Sequence, residues 1–101
     1  MAELVRYRLA TDADHESIFR LAYETFVEEI PQYPPNSERR HVDRFHCENH
    51  YVIAVSGQAL VGMLAIRVNR PFSLDQKLGS VDPFLPPGRR PCEFRLLAVR
   101  R

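Results

Sequence analysis

The amino-acid sequence predicts an α+β fold, an antiparallel four-stranded sheet with two helices in the chain order β-α-α-β-β-β. Three observations carry this. Residues 4–10 (L-V-R-Y-R-L-A) alternate apolar and polar side chains, the period-two pattern of a strand with two unlike faces. Residues 13–29 place Ile18, Leu21, Ala22, Thr25 and Phe26 at helical spacing. Residues 50–55 (H-Y-V-I-A-V) and 59–68 (A-L-V-G-M-L-A-I-R-V) are β-rich runs separated by Ser56-Gly57-Gln58, the composition of a tight hairpin turn.

In the first strand, Val5, Tyr7 and Leu9 share one face, and Arg6 and Arg8 the other. Thr11 or Asp12 then supplies a helix N-cap, with Asp14 and Glu16 in the first turn, where carboxylates meet the positive end of the helix dipole. Phe19, Tyr23 and Val27 widen the apolar surface of the first helix, so it should touch both the sheet and a second element. Residues 31–36 (P-Q-Y-P-P-N) cannot continue it, because proline lacks the N–H donor and biases its predecessor toward extended backbone. A short second helix is expected over residues 37–48, capped by Ser37, with Val42 and Phe45 inward. The run 60–66 is apolar nearly throughout, which fits a central strand covered on both faces, and Gly62 invites a bulge or a close backbone approach. Residues 69–91 carry prolines and glycines, a possible helical turn at 74–78 and no periodicity, so this connection is expected to be functional or mobile. Residues 93–99 (E-F-R-L-L-A-V) read as the last strand.

The hydrophobic share of 45% against 27% charged is the balance of one ordinary folded domain, not of a disordered chain. A formal charge of +1 supplies no field for nucleic acid or an anionic membrane. Arg89, Arg90, Arg95, Arg100 and Arg101 gather positive charge near the C-terminus, which suits a phosphate-bearing cofactor and equally a solvated surface. No apolar run approaches the roughly 20 residues of a membrane span, and the first residues lack a signal-peptide core, so the expected location is cytoplasmic. Cys47 and Cys92 are too few for a disulfide framework and are expected as reduced, buried or half-buried thiols. On a helix over 37–48 and beyond, Asp43, His46 and His50 would share a face, but Glu48 falls one position away from the H-E-x-x-H pattern; no metal is expected.

Several motifs resemble one family. Glu93-Phe94-Arg95-Leu96-Leu97-Ala98-Val99 is similar to the fourth strand of the GNAT superfamily of coenzyme-A-dependent N-acyltransferases, E-x-x-x-L-x-V, which that family follows with a turn and R/Q-x-x-G-x-G/A. Residues 21–29 (L-A-Y-E-T-F-V-E-E) resemble the helix of acyl-homoserine lactone synthases and the related long-chain N-acyl amino acid synthases, and 60–67 (L-V-G-M-L-A-I-R) their V-G-x-x-R strand. Leu96 stands where the lactone synthases usually carry arginine, so the resemblance leans toward the N-acyl amino acid synthase branch. The resemblance implies the N-terminal half of a GNAT fold, with the glycine loop and the helix that receive the coenzyme A pyrophosphate absent after Arg101, and a 101-residue chain expected to be inactive by itself.

It also implies an acyl group delivered from acetyl-CoA, a longer acyl-CoA or an acyl-carrier thioester to a small, amino-acid-like amine. Glu93 is the candidate general base, on a strand face shared with Arg95, Leu97 and Val99. Leu97 would offer its backbone N–H to the thioester carbonyl, Val99 its backbone to pantetheine, and Arg100 and Arg101 positive charge to the cofactor. Phe26, Glu28, Glu29 and Tyr33 are the candidates for the amine site. The competing expectation is a non-catalytic half-domain for binding or oligomerisation, associating with its own kind through an exposed strand edge.

Overall fold

The computed structural model of the chain describes residues 4–100. Its strands β1 (Val5–Leu9), β2 (His50–Ser56), β3 (Ala59–Arg67) and β4 (Glu93–Val99) form one sheet in sequential order, every pair antiparallel. The expected α+β architecture is thus present among the described residues. The β2–β3 connection is tight because Gly57 takes φ +61°, a left-handed conformation that costs a residue with a Cβ.

Helix α1 (His15–Tyr23) starts where the sequence places it. The Asp14 carboxylate accepts the Thr11 N–H at 2.8 Å and both Arg8 Nη atoms at 2.7 and 2.9 Å, so one side chain caps the helix entrance and ties it to β1. Past Tyr23 the helix widens to π-helical geometry over Glu24–Glu29, closing with the Ile30 N–H on the Thr25 carbonyl at 2.8 Å. Ile18, Phe19, Leu21, Ala22 and Phe26 pack on Tyr51, Ile53, Met63, Ala65 and Ala98 from the sheet. The broad apolar face of residues 18–27 is therefore the core of the protein.

The expected second helix over residues 37–48 does not form. Arg39 takes φ +55°, which breaks a right-handed helix, and the Asp43 carboxylate binds the Phe45 N–H at 3.2 Å, a local bond that competes with the helical pattern. Only a 3₁₀ turn at His46–Glu48 remains, and Val42 faces solvent. The second helix is instead α2 (Ser73–Leu78), where the sequence showed only a possible turn. The expected alignment of Asp43, His46 and His50 on a helix is lost with it.

Two bulges set the sheet faces. Ala54 pairs with Gly62 but Val55 with Leu60, leaving Val61 extra beside the glycine. Met63 pairs with Ala98 but Ala65 with Arg95, so Leu96 and Leu97 together oppose Leu64, and Leu96 takes φ +55°. The face shared by residues 93, 95, 97 and 99 in an unbroken strand is corrected accordingly: Glu93, Arg95 and Ala98 turn toward α1, while Phe94, Leu97 and Val99 turn to the opposite face.

That opposite face is apolar and open. Val5, Tyr7 and Leu9 continue it on β1, and all are exposed. β3 is central in the sheet yet covered on one face alone: Leu60, Met63 and Ala65 are buried, whereas Leu64 and Ile66 are half-buried. Both thiols, expected to be at least half-buried, are exposed. Among the described residues no helix is long and apolar enough to cross a membrane.

Candidate functional site

The end of β4 meets the π-helical end of the first helix in an open groove of about 440 Å³. Three glutamates, Glu24, Glu28 and Glu29, line it with Thr25, Val99 and Arg100. Helical spacing puts Glu24 and Glu28 on one face. Arg100 is drawn in by its backbone N–H on the Val61 carbonyl at 2.7 Å and by its guanidinium 3.6 Å from Glu24, while Arg39 pairs with Glu28 at 2.8 Å. Four of the residues selected from sequence, Glu28, Glu29, Val99 and Arg100, thus come together. Three carboxylates line the groove, and two of them already face guanidiniums, so cationic groups are what its acidic side receives.

The bulge in β4 controls what stands beside this groove. A non-glycine residue at φ +55° is strained by roughly 1–2 kcal/mol, and the packing of Leu96 against the core holds it there. The extra residue swings Leu97 and Val99 out onto the open face.

Glu93 lies elsewhere. Its buried carboxylate accepts the Ser73 N–H at 3.0 Å, the Ser73 hydroxyl at 2.8 Å and the Leu74 N–H at 3.1 Å, with Arg95 Nε at 3.4 Å. Burial alone would raise its pKa, but these donors outweigh it and the net shift is down. With its lone pairs occupied and its charged form favoured, Glu93 is placed as the anchor that holds the start of α2 against β4. Asp75 performs a matching task, accepting the Phe72 and Val81 N–H groups at 2.8 and 3.0 Å and pairing with Arg70 at 2.9 Å. The connection 69–91, expected to be mobile, is tied at both ends of α2.

Behind Glu93 lies a buried ionic cluster. Arg95 grips Asp43 through both Nη atoms, the longer contact being 3.1 Å, and Asn49 donates to the same carboxylate at 2.8 Å. Burial pushes Asp43 up, and the Arg95 and Asn49 hydrogen bonds more than reverse that, so its pKa falls below the ordinary value. The Phe45 ring is flanked by three guanidiniums, Arg67 at 3.8 Å, Arg44 at 4.6 Å and Arg95 at 4.9 Å from its centroid. Arg67 is fully buried, paired with Glu48 and donating to the Pro71 carbonyl at 3.0 Å.

The remaining sequence candidates are dispersed. Phe26 is buried in the core and does not line the groove, its carbonyl accepting the Gln32 and Tyr33 N–H groups. Tyr33 stacks on His41 with ring centroids 4.3 Å apart and lines a separate pocket beside α2. Arg101 lies outside the described residues. Glu24 was missed from the sequence although its four-residue spacing to Glu28 marked it. Arg44 and Lys77 had no local signal, because only folding brings them to one pocket.

Compared with protein-family models, curated proteins and solved structures, the chain matches none.

Proposed function

We propose that the chain forms the N-terminal part of a GNAT-type N-acyltransferase, which moves an acyl group from an acyl-CoA or acyl-carrier thioester to a small amine. The observation that carries this reading is the strained bulge in β4, within the E-x-x-x-L-x-V motif, standing beside an acidic groove. Backbone strain of this kind gathers at functional positions. In this reading the thioester lies along Leu97–Val99, and Glu24, Glu28 and Glu29 hold the acceptor's ammonium. The ammonium loses one proton to a groove carboxylate or water, the amine nitrogen attacks the thioester carbonyl carbon, the C–S bond breaks, and the departing thiolate takes up the second proton that this nitrogen sheds as the amide forms. Glu93 serves by keeping α2 and Arg95 in place.

Acyl transfer by the protein translated from the complete reading frame is the test, with labelled acyl-CoA and acyl-carrier thioesters against a panel of primary amines. Transfer that weakens toward the amine in Glu28→Gln and Glu29→Gln supports the reading. Absence of transfer, together with a reading frame that encodes no R/Q-x-x-G-x-G/A after Arg101, overturns it.

A second reading, a non-catalytic binding or oligomerisation module, is favoured by the open apolar sheet face. It predicts self-association without acyl transfer.

A further inference from the structure

A pocket of about 430 Å³ lies between the loop carrying Tyr33, His41 and Arg44 and the outer side of α2. Its charges are not balanced locally. Asp43 is its lining carboxylate, and that group is committed to Arg95 and Asn49. Glu93, the next nearest, is committed to Ser73, Leu74 and Arg95. Arg44 and Lys77 stand at the pocket with no carboxylate partner among the described residues.

Arg44 is nevertheless held in one orientation. Its Nη2 donates to Gln76 Oε1 at 2.7 Å, and its guanidinium lies 4.6 Å from the Phe45 ring centroid. Both partners are neutral, so they position the cation without cancelling it. Lys77 follows Gln76 on α2 and brings a second positive charge to the same opening. The Ser73 hydroxyl lines the opening but donates its hydrogen to Glu93, and the Tyr33–His41 pair, stacked with rings inclined by 27°, supplies aromatic surface. Burial lowers the His41 pKa, which favours the neutral ring.

We propose that this pocket binds a small organic anion, whose carboxylate or phosphate oxygens sit between Arg44 and Lys77 and whose apolar portion packs against the Tyr33–His41 pair. A preoriented guanidinium is suited to a planar, two-oxygen acceptor, and lysine adds a point charge. The site needs neither a thioester nor the β4 bulge, so it stands independently of the acyl-transfer reading.

The test is a nitrogen-15 NMR titration of the full chain with phenyl phosphate and with phenylacetate, and with benzyl alcohol as the neutral control. Saturable shifts confined to residues 33–44 and 73–77 are expected for at least one anion and not for the alcohol, and the tighter of the two anions identifies the group preferred. Arg44→Gln and Lys77→Gln, both at exposed positions, should each weaken binding about tenfold or more while leaving the other amide positions unchanged. Non-saturable shifts, shifts centred on Arg89 and Arg90, or unchanged affinity in both variants would overturn the proposal.

Discussion

Replacing Glu93 by glutamine separates an anchor from a general base. The carboxylate accepts three hydrogen bonds from Ser73 and Leu74 and faces Arg95 at 3.4 Å. Glutamine keeps one acceptor oxygen but turns an NH₂ group toward donors, leaving at least one buried N–H or hydroxyl without a partner and Arg95 with one carboxylate fewer. Each charge-assisted bond contributes about 1.5–3 kcal/mol, and a buried donor stripped of its partner costs about 1–3 kcal/mol, so Glu93→Gln should lose about 2–4 kcal/mol. With a urea m-value of about 1–2 kcal/mol/M for a chain of this size, the midpoint should fall by roughly 2 M. Amide exchange at Ser73 and Leu74 should accelerate more than at Ile53 or Ala65. The acid limb adds an independent check. The folded-state pKa of Glu93 is depressed, so its stabilisation is complete above the unfolded value near 4.3 and is lost as pH falls through the folded value. Glu93→Gln should therefore flatten the loss of stability on acidification. A loss of stability smaller than about 0.5 kcal/mol, with exchange at 73 and 74 unchanged, would refute the anchoring argument. If acyl transfer is found for the protein from the complete reading frame and falls roughly 100-fold or more in Glu93→Gln with stability intact, Glu93 would be restored as the base.

Asp43→Asn leaves Arg95 buried with a weakened partner and should destabilise by about 3 kcal/mol in the same denaturation assay, against a near-neutral effect for Asp12→Asn at an exposed position of the turn before α1. Asp43, like Glu93, has a lowered pKa, so the stability this pair contributes is complete above the unfolded value of about 3.9 and is lost as pH falls through the lower folded value, and the variant should show the shallower acid profile. Gly57→Ala should cost about 1 kcal/mol because the turn demands positive φ, measured as a lowered urea midpoint with unchanged slope. Association is expected through the open sheet face. Val5, Tyr7, Leu9, Phe94, Leu97 and Val99 are between 41% and 76% exposed. At about 150–200 Å² per large side chain, they present roughly 600–700 Å² of surface at the two edges of that face. A stable interface uses about 800 Å² per partner, so sedimentation of this chain should show a dimer at micromolar concentration, and Tyr7→Lys with Leu97→Lys should return it to monomer. A wild-type monomer well above micromolar would contradict the expectation.

The patterns legible in the sequence were the local ones. The alternation over 4–10, the hairpin at Ser56-Gly57-Gln58 and the helical stripe of Ile18, Leu21, Ala22 and Phe26 each arise from side-chain periodicity within one element, and the structure forms each of them. The four-stranded antiparallel order sets strands that are consecutive in sequence side by side in the sheet. The groove residues Glu28, Glu29, Val99 and Arg100 were selected from sequence, although the groove itself was not visible there. Tertiary structure decided the rest through bonds between distant residues. Residues 37–48 have caps and polar spacing compatible with a helix, but Asp43 is bound by Arg95, 52 positions away, and that pair with its local bond to Phe45 leaves a loop. The helix forms at 73–78 instead because Glu93, 20 positions on, satisfies its first N–H groups. The face presented by β4 turned on one bulged residue, Leu96, which exchanges the expected partners of Leu97 and Val99 for the opposite side of the sheet. A period-two pattern carries no mark of an inserted residue, and a carboxylate in a sequence carries no mark of the donor it will meet, so both became known only when the strands were paired.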